Sequence, residues 1–368
     1  MTIKFYILCS KNLLATQRHL RMIAKEDIHY VFNSQDADYV AEATAWCDSE
    51  SIPYSVTESD GTAATGKNTV FDVFTASDND YMVLVDGDDF LTPHGVWTYK
   101  QIAENGNAPD VIALEYQYGL YAERGYFTGY DNDPHLTCSD PNNHDQIQGF
   151  PSRCFLQPYS YWHKAINGNL IDTTIETEFV AQLSDVHQRW STYCYNYING
   201  WETHCRIVFY SKAAAQFRFD PSLIIGEDTL QYFALKHEHV NGRLTMKVLV
   251  DRYPTYVYDT RIGGVCADGW HNDGGEGWKD WLDALVARYE EYDAAGMMHT
   301  DELPKIAVCY LPWDDPALGG WDVIWPEGHK PNLLNLVNFP GPQEIWWDAQ
   351  AGAPVSSAAG NHHLVARA

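Results

Sequence analysis

The chain has 368 residues, 45% of them hydrophobic and 14% aromatic, which is enough for an ordinary core and excludes disorder as the default state. Its 24 Lys and Arg against 50 Asp and Glu leave a net charge of −26, which argues against a broad basic nucleic-acid footprint and against docking on anionic lipid. Eight cysteines at 9, 47, 138, 154, 194, 205, 266 and 309 form no CxxC pair or zinc-type spacing, and no run of eighteen apolar residues offers a membrane span.

From the N-terminus the pattern alternates between strand and helix. "KFYIL" (4–8) reads as a buried strand, and "LLATQRHLRMIAK" (13–25) carries Leu13, Gln17, Leu20 and Ala24 at helical spacing. This start therefore reads as strand then helix and not as a signal peptide, so a soluble cytoplasmic protein is expected. "HYVFN" (29–33) is a second strand, a helix follows through Trp46, and "PYSVT" (53–57) is a third strand. "GKNTVFDVFTAS" (66–77) reads as a helix led by Gly66, with Val70, Phe71 and Phe74 on one face. "YMVLV" (81–85) and "DVIALEY" (110–116) continue the strands. Strands alternating with helices predict an α/β fold, a mostly parallel sheet covered on both faces.

Residues 117–205 lack clean periodicity and predict long loops with short strands. Order returns at 205–236, where Gly226 and the acidic pair Glu227–Asp228 open a helix that Asn241–Gly242 stops. "RLTMKVLV" (243–250) alternates like a strand. Residues 263–277 hold six glycines around Trp270 and His271, the composition of a lid. The last 103 residues carry 16 acids, 5 basic residues and 8 of the 13 tryptophans, a shift that suggests a separate extension.

The chemistry concentrates where "YMVLV" runs into Asp86, Asp88 and Asp89. Like charges this close repel, and beside an apolar strand they lose water, so such a cluster is expected to hold something cationic. Ligands of open α/β sheets bind beyond the carboxyl ends of the strands, where these acids lie. Asp-x-Asp suits a hard divalent ion that takes oxygen ligands and leaves positions for phosphate. A solvated turn is the competing reading. Glu227–Asp228 equally suit an ordinary helix N-terminus, and Lys67 could be a surface charge.

The stretch from Gly61 through "GKN" to "DGDD" resembles the nucleotide-sugar half of GT-A fold glycosyltransferases, family 2 in particular. "FRFDPSLIIGEDTLQYFALK" resembles the acceptor-side element of that family, and "YVYDTRIGG" (256–264) its following aromatic–Arg–Gly segment. The ordered set spans about residues 3–265. The resemblance implies a GT-A domain over 1–265, with a donor half of about 1–116 and an acceptor half of about 117–265. Residues 266–368 would form the Gly-rich lid and Trp-rich acidic extension.

It also implies inverting transfer from a nucleoside-diphosphate sugar, UDP-linked, with Mn²⁺ or Mg²⁺. Asp228 would be the general base, with Glu227 as its alternate. Asp86 would hold ribose or a metal-bound water and Asp88 the metal, with His271 a further candidate ligand. Cys9, Ser10, Asn33, Gly66, Lys67 and Asn68 would line the nucleotide, and Asp89 would pair with a local basic group. Asn33 stands where the family often has an Asp, and the family's common Pro after the first strand is absent. The acceptor would be a glycan or protein hydroxyl, or a hydroxymethylated pyrimidine in phage DNA, since the acidic, anchor-free architecture resembles phage-encoded or bacterial members. A nucleotidyltransferase, or a non-catalytic sugar-binding module built on the Trp-rich tail, are the alternatives. "LCSKNLL" lacks the Gly-rich signature of the former.

Overall fold

The computed structural model describes residues 1–104, 106–114, 117–122, 154–159, 206–251, 255–259, 276–308 and short strands at 322–324, 345–348, 353–354 and 365–366. The chain opens with β1 (Ile3–Cys9), α1 (Leu13–Arg18), β2 (Ile28–Asn33), α2 (Ala37–Glu50), β3 (Tyr54–Thr57), α3 (Ala63–Ala76) and β4 (Tyr81–Asp86). Then come β5 (Phe90–Leu91), α4 (Pro93–Glu104), β6 (Val111–Leu114), β7 (Gln117–Ala122), β8 (Cys154–Tyr159) and β9 (Ile207–Ser211). The remainder includes α5 (Glu227–Val240), β10 (Met246–Asp251), β11 (Tyr256–Asp259), α6 (Glu276–Ala294), β12 (Lys305–Val308) and β13 (Asp322–Ile324).

Among the described residues the central sheet has nine strands in the order β13-β12-β10-β6-β9-β4-β1-β2-β3, of which only β9 runs against its neighbours. Alternating side chains feed two cores. Tyr6 and Leu84 join Phe71 and Phe74 of α3, Leu230 and Phe233 of α5, and Leu285 and Tyr289 of α6. Phe5, Ile7 and Val85 point the other way, toward Ala43 of α2 and Tyr99 and Ile102 of α4. The protein is therefore α/β, a mostly parallel sheet with helices on both faces. Of the C-terminal stretch, α6 packs on this core and β12 pairs with β10, while the short strand at 345–348 pairs with β8 outside the central sheet.

Topology fixes where a ligand would bind. The chain winds outward from β1 through β2 to β3, then returns to place β4 on the other flank of β1. That reversal is a topological switch point, the place where open α/β sheets bind ligands beyond their strand ends. Cys9 and Asp86 flank it, with Leu8 paired to Asp86 in the β1–β4 register.

Two helices begin or end elsewhere than periodicity suggests. α3 starts at Ala63 with the Thr62 hydroxyl accepting from the Thr65 amide, so Gly66 lies inside the helix and does not lead it. There its missing Cβ admits the Asn33 side chain and Leu8; a Cβ would stand 3.2 Å from both. α1 stops at Arg18 and tightens into a 3₁₀ turn over His19–Arg21, so it is far shorter than the expected 13–25. The reason is that Arg18 and His19 turn inward, toward the acidic loop.

Candidate functional site

β4 delivers Asp86 to the switch point, and a tight turn carries Asp88 and Asp89 across it. Gly87 makes that turn possible. Its amide donates to the Leu8 carbonyl at 2.7 Å, and a Cβ on it would sit 2.7 Å from the same oxygen. The loop backbone is clasped from below. Arg18 Nη2 donates to the carbonyls of Asp88 and Asp89, and its guanidinium lies 4.8 Å from the Phe90 ring. His19 Nε2 approaches the Gly87 carbonyl at 3.3 Å.

The cation that the acid cluster demands is Arg206. Because β9 is antiparallel to β4, its beginning meets the end of β4; the register Tyr81↔Ser211 and Val83↔Phe209, continued, sets Asp86 opposite Arg206. Arg206 Nη2 donates to Asp86 Oδ2 at 2.6 Å and to the Tyr256 hydroxyl at 2.6 Å. The Tyr256 hydroxyl in turn donates to Asp89 Oδ2 at 2.6 Å, and its ring lies under the guanidinium at 4.8 Å. Asp89, expected beside a basic group, is 3.7 Å from Arg206.

A second cation enters from α3. Lys67 Nζ contacts Glu227 Oε1 at 2.7 Å and lies 3.8 Å from Asp86 Oδ2. At 4% exposure Lys67 is no surface charge, and its ammonium is committed to protein carboxylates. Arg206 Nη1 reaches Asp228 Oδ2 at 4.0 Å. The two cations thus join the strand-end acids to the acidic pair that opens α5, a separation of 120 residues for the Arg206–Asp86 contact and 160 for Lys67–Glu227.

This geometry separates Glu227 from Asp228. Glu227 is buried against Lys67, while the Asp228 side chain keeps 22% of its exposure and its Oδ1 accepts from the Thr229 amide at 2.9 Å. Burial raises the Glu227 carboxyl above its ordinary range despite Lys67. Burial would likewise push Asp86 up, but Arg206 and then Lys67 outweigh it and hold the carboxyl below the usual range. Burial, with Asp88 adding to it, carries Asp89 well above that range. Burial and the neighbouring Asp86 raise Asp88.

Several residues expected at the nucleotide are placed for packing. The Cys9 side chain is fully buried and burial pushes its thiol up to about 12, so it is an inert thiol. Asn68 turns into the protein: it donates to the Phe219 carbonyl and accepts from the Phe219 amide, both at 2.9 Å. Asn33 is buried and donates to Thr57 Oγ1 at 2.9 Å and the Glu58 carbonyl at 2.7 Å. Ser10 is exposed at the rim, its carbonyl accepting from Ser34 at 2.5 Å. His271, Trp270 and most of the expected lid at 263–277 lie outside the described residues.

No group of three His, Cys, Asp or Glu side chains gathers as a metal cluster among the described residues. The acidic loop does offer two carboxylates, Asp86 and Asp88. Asp86 Oδ1 is buried and has no hydrogen-bond partner, an oxygen that folding has stripped of water without supplying a donor. Mg²⁺ needs only one or two protein carboxylates when phosphate oxygens and water complete its octahedron. The donor set fits such an ion in that way.

No family model matches the sequence, and no curated protein matches it. Among solved structures, the chain is similar to TarS 1–349 of S. aureus, at 12% identity over 78% of this chain and 64% of that chain, TM-score 0.40. The same fragment in complex with UDP-GlcNAc aligns at 12% identity over 79% and 73%, TM-score 0.40. A197 from STIV aligns at 12% identity over 71% and 83%, TM-score 0.28. The chain spans less than two thirds of the first of these, and likeness at this level carries nothing about activity.

Proposed function

We propose that this chain is a GT-A type glycosyltransferase that moves a sugar, with inversion, from a UDP-linked donor to an acceptor hydroxyl. The observation that carries the reading is the meeting, at the switch point of the sheet, of the DGDD loop with the Glu227–Asp228 pair through Lys67 and Arg206. These are the elements that the family resemblance assigns to the donor side and the acceptor side.

In this mechanism Asp228 is the general base. With 22% of its side chain exposed it can meet an acceptor hydroxyl from solvent, whereas Glu227 is buried and held by Lys67, where it positions the helix end. Asp228 takes the hydroxyl proton while the oxygen forms its bond to the anomeric carbon. The bond from that carbon to the diphosphate breaks, and its electron pair leaves with the diphosphate. Mn²⁺ or Mg²⁺, held by Asp88 with Asp86 Oδ1, would supply charge stabilisation for the departing group. The exposed Ser10, just beyond the end of β1, would receive the nucleotide.

The test is UDP release from a panel of UDP-sugars with Mn²⁺, paired with UDP calorimetry. Asp228→Asn is expected to keep UDP affinity and lose turnover by roughly 10²–10⁴-fold, the usual worth of a general base. Failure of the wild-type protein to bind UDP or consume any UDP-sugar would overturn the reading. An active Asp228→Asn beside an inactive Glu227→Gln would reverse the two roles.

A further inference from the structure

Arg206 and Lys67 together raise a question that general-base chemistry leaves open. A cluster of three carboxylates ought to capture divalent metal unaided. Here Asp86 Oδ2 is already taken by Arg206 at 2.6 Å, with Lys67 at 3.8 Å, and Asp89 has the same guanidinium at 3.7 Å. Arg206 is itself fixed: it is buried, stacked on Tyr256, and hydrogen-bonded to the Tyr256 hydroxyl. That hydroxyl also receives the Asp86 amide at 3.3 Å, so β11 holds the cation and the loop in one arrangement.

We propose that Arg206, positioned by Tyr256, is a built-in counter-cation that prevents the acidic loop from holding a divalent metal alone, so that metal enters only together with the donor diphosphate. The proposal rests on the donor reading above and deepens it by fixing the form in which the donor is recognised. A bare divalent ion beside Asp86 and Asp88 would face two protein cations at short range and only one carboxylate, Asp88, that has neither of them close by. A metal carrying a diphosphate arrives with its charge cancelled or reversed, and the same two cations then attract it. Arg suits this role better than Lys, because its planar fork reaches Asp86, Tyr256 and Asp228 at once. Arg206 is a positioning residue, acting through Asp86.

The distinguishing measurement is Mn²⁺ binding without nucleotide, followed by electron paramagnetic resonance or calorimetry. The wild-type protein is expected to bind Mn²⁺ alone at least about tenfold more weakly than it does with UDP present. Arg206→Met, which keeps much of the apolar bulk and drops the charge, should bind Mn²⁺ alone on the order of tenfold more tightly than wild type. Tyr256→Phe, which frees Arg206 without removing it, should shift affinity the same way by a smaller factor. A merely structural role predicts the opposite, because loosening the loop weakens metal binding. The proposal falls if both variants hold Mn²⁺ no better than wild type, or if wild type binds Mn²⁺ equally well with and without UDP. Wild type that binds no UDP under any condition overturns the donor reading itself, and the coupling with it.

Discussion

At the scale of single residues, the acidic loop depends on His19 as much as on its own carboxylates. His19 is 1% exposed; burial, with Arg18 adding to it, lowers its imidazole to about 3, so the ring is neutral at pH 7. Nε2 lies 3.3 Å from the Gly87 carbonyl and must be the protonated nitrogen, which leaves buried Nδ1 without a partner. In the unfolded chain the same ring titrates near 6.5. Between these values the unfolded state binds a proton that the folded state refuses, so stability is lost as pH falls from about 6.5 toward 3. By pH 4.5 this group alone costs about 2–3 kcal/mol. Asp89 and Glu227 act in the opposite sense, since their raised carboxyls hold protons the unfolded chain has released, and their contribution fades as pH rises. A single substitution separates the two effects. His19→Gln should be less stable than wild type at pH 7.5, because the Gly87 contact is disturbed, and the gap should close or reverse by pH 4.5. Thermal unfolding across that range reads it directly; a gap that stays constant would show that the imidazole is not held neutral.

At the scale of elements, the start of α5 fixes where Glu227 and Asp228 stand. Gly226 occupies the N-cap with φ +69° and offers no side-chain cap; the acids of the first turn face the positive end of the helix dipole. A Cβ on Gly226 would come within 2.4 Å of Leu285 on α6. Gly242, at the other end of α5, has φ +70° and nothing within 4 Å. Gly226→Ala should therefore cost about 2–4 kcal/mol, from backbone strain plus overpacking, while Gly242→Ala should cost only about 1 kcal/mol. Equal midpoints in urea for the two variants would show that Leu285 yields without cost. These elements were legible because they repeat: period-2 and period-3.6 patterns, Gly226 and Asn241–Gly242 marked β1 to β4 and both ends of α5. The DGDD loop was legible too, as an acidic break after an apolar strand. Arg206 was not. It is one charged residue ahead of "IVFYS", and its meaning comes from an antiparallel register that pairs it with a carboxylate 120 positions away. Lys67 and Asn68 were legible as a motif but not as inward-facing groups, since helical position and not composition turns them to Glu227 and Phe219. The early end of α1 has the same origin, a tertiary contact at Arg18 that overrides local helical spacing.

At the scale of the whole molecule, charge bears on the acceptor. A duplex is held by cations that neutralise several phosphates at once, and the sum here is −26. Many of the cations are already spent on acids: Lys25 on Glu50, Lys100 on Asp27, Arg218 on Asp72, Arg243 on Glu238, and Arg288 on Asp220 and Glu291. Lys67 and Arg206 serve the site itself. The stretch 115–205 adds only Arg124, Arg153, Lys164 and Arg189 against eleven acids. A long-range negative field of this size repels polyanions, so the proposed transfer is expected to use a neutral or cationic acceptor, such as a glycan or a polypeptide hydroxyl. The expected outcome is that a duplex of about 25 base pairs carrying hydroxymethylated pyrimidines shows no mobility shift at 50 mM salt, with or without UDP and Mn²⁺. Each phosphate contact contributes a slope of about −0.9 to log K against log salt, so a local basic groove would announce itself by tight low-salt binding that decays steeply. Binding of that kind would restore the modified base as acceptor. Its absence, with UDP binding established in the same preparation, would leave the hydroxyl of a glycan or protein as the group that Asp228 deprotonates.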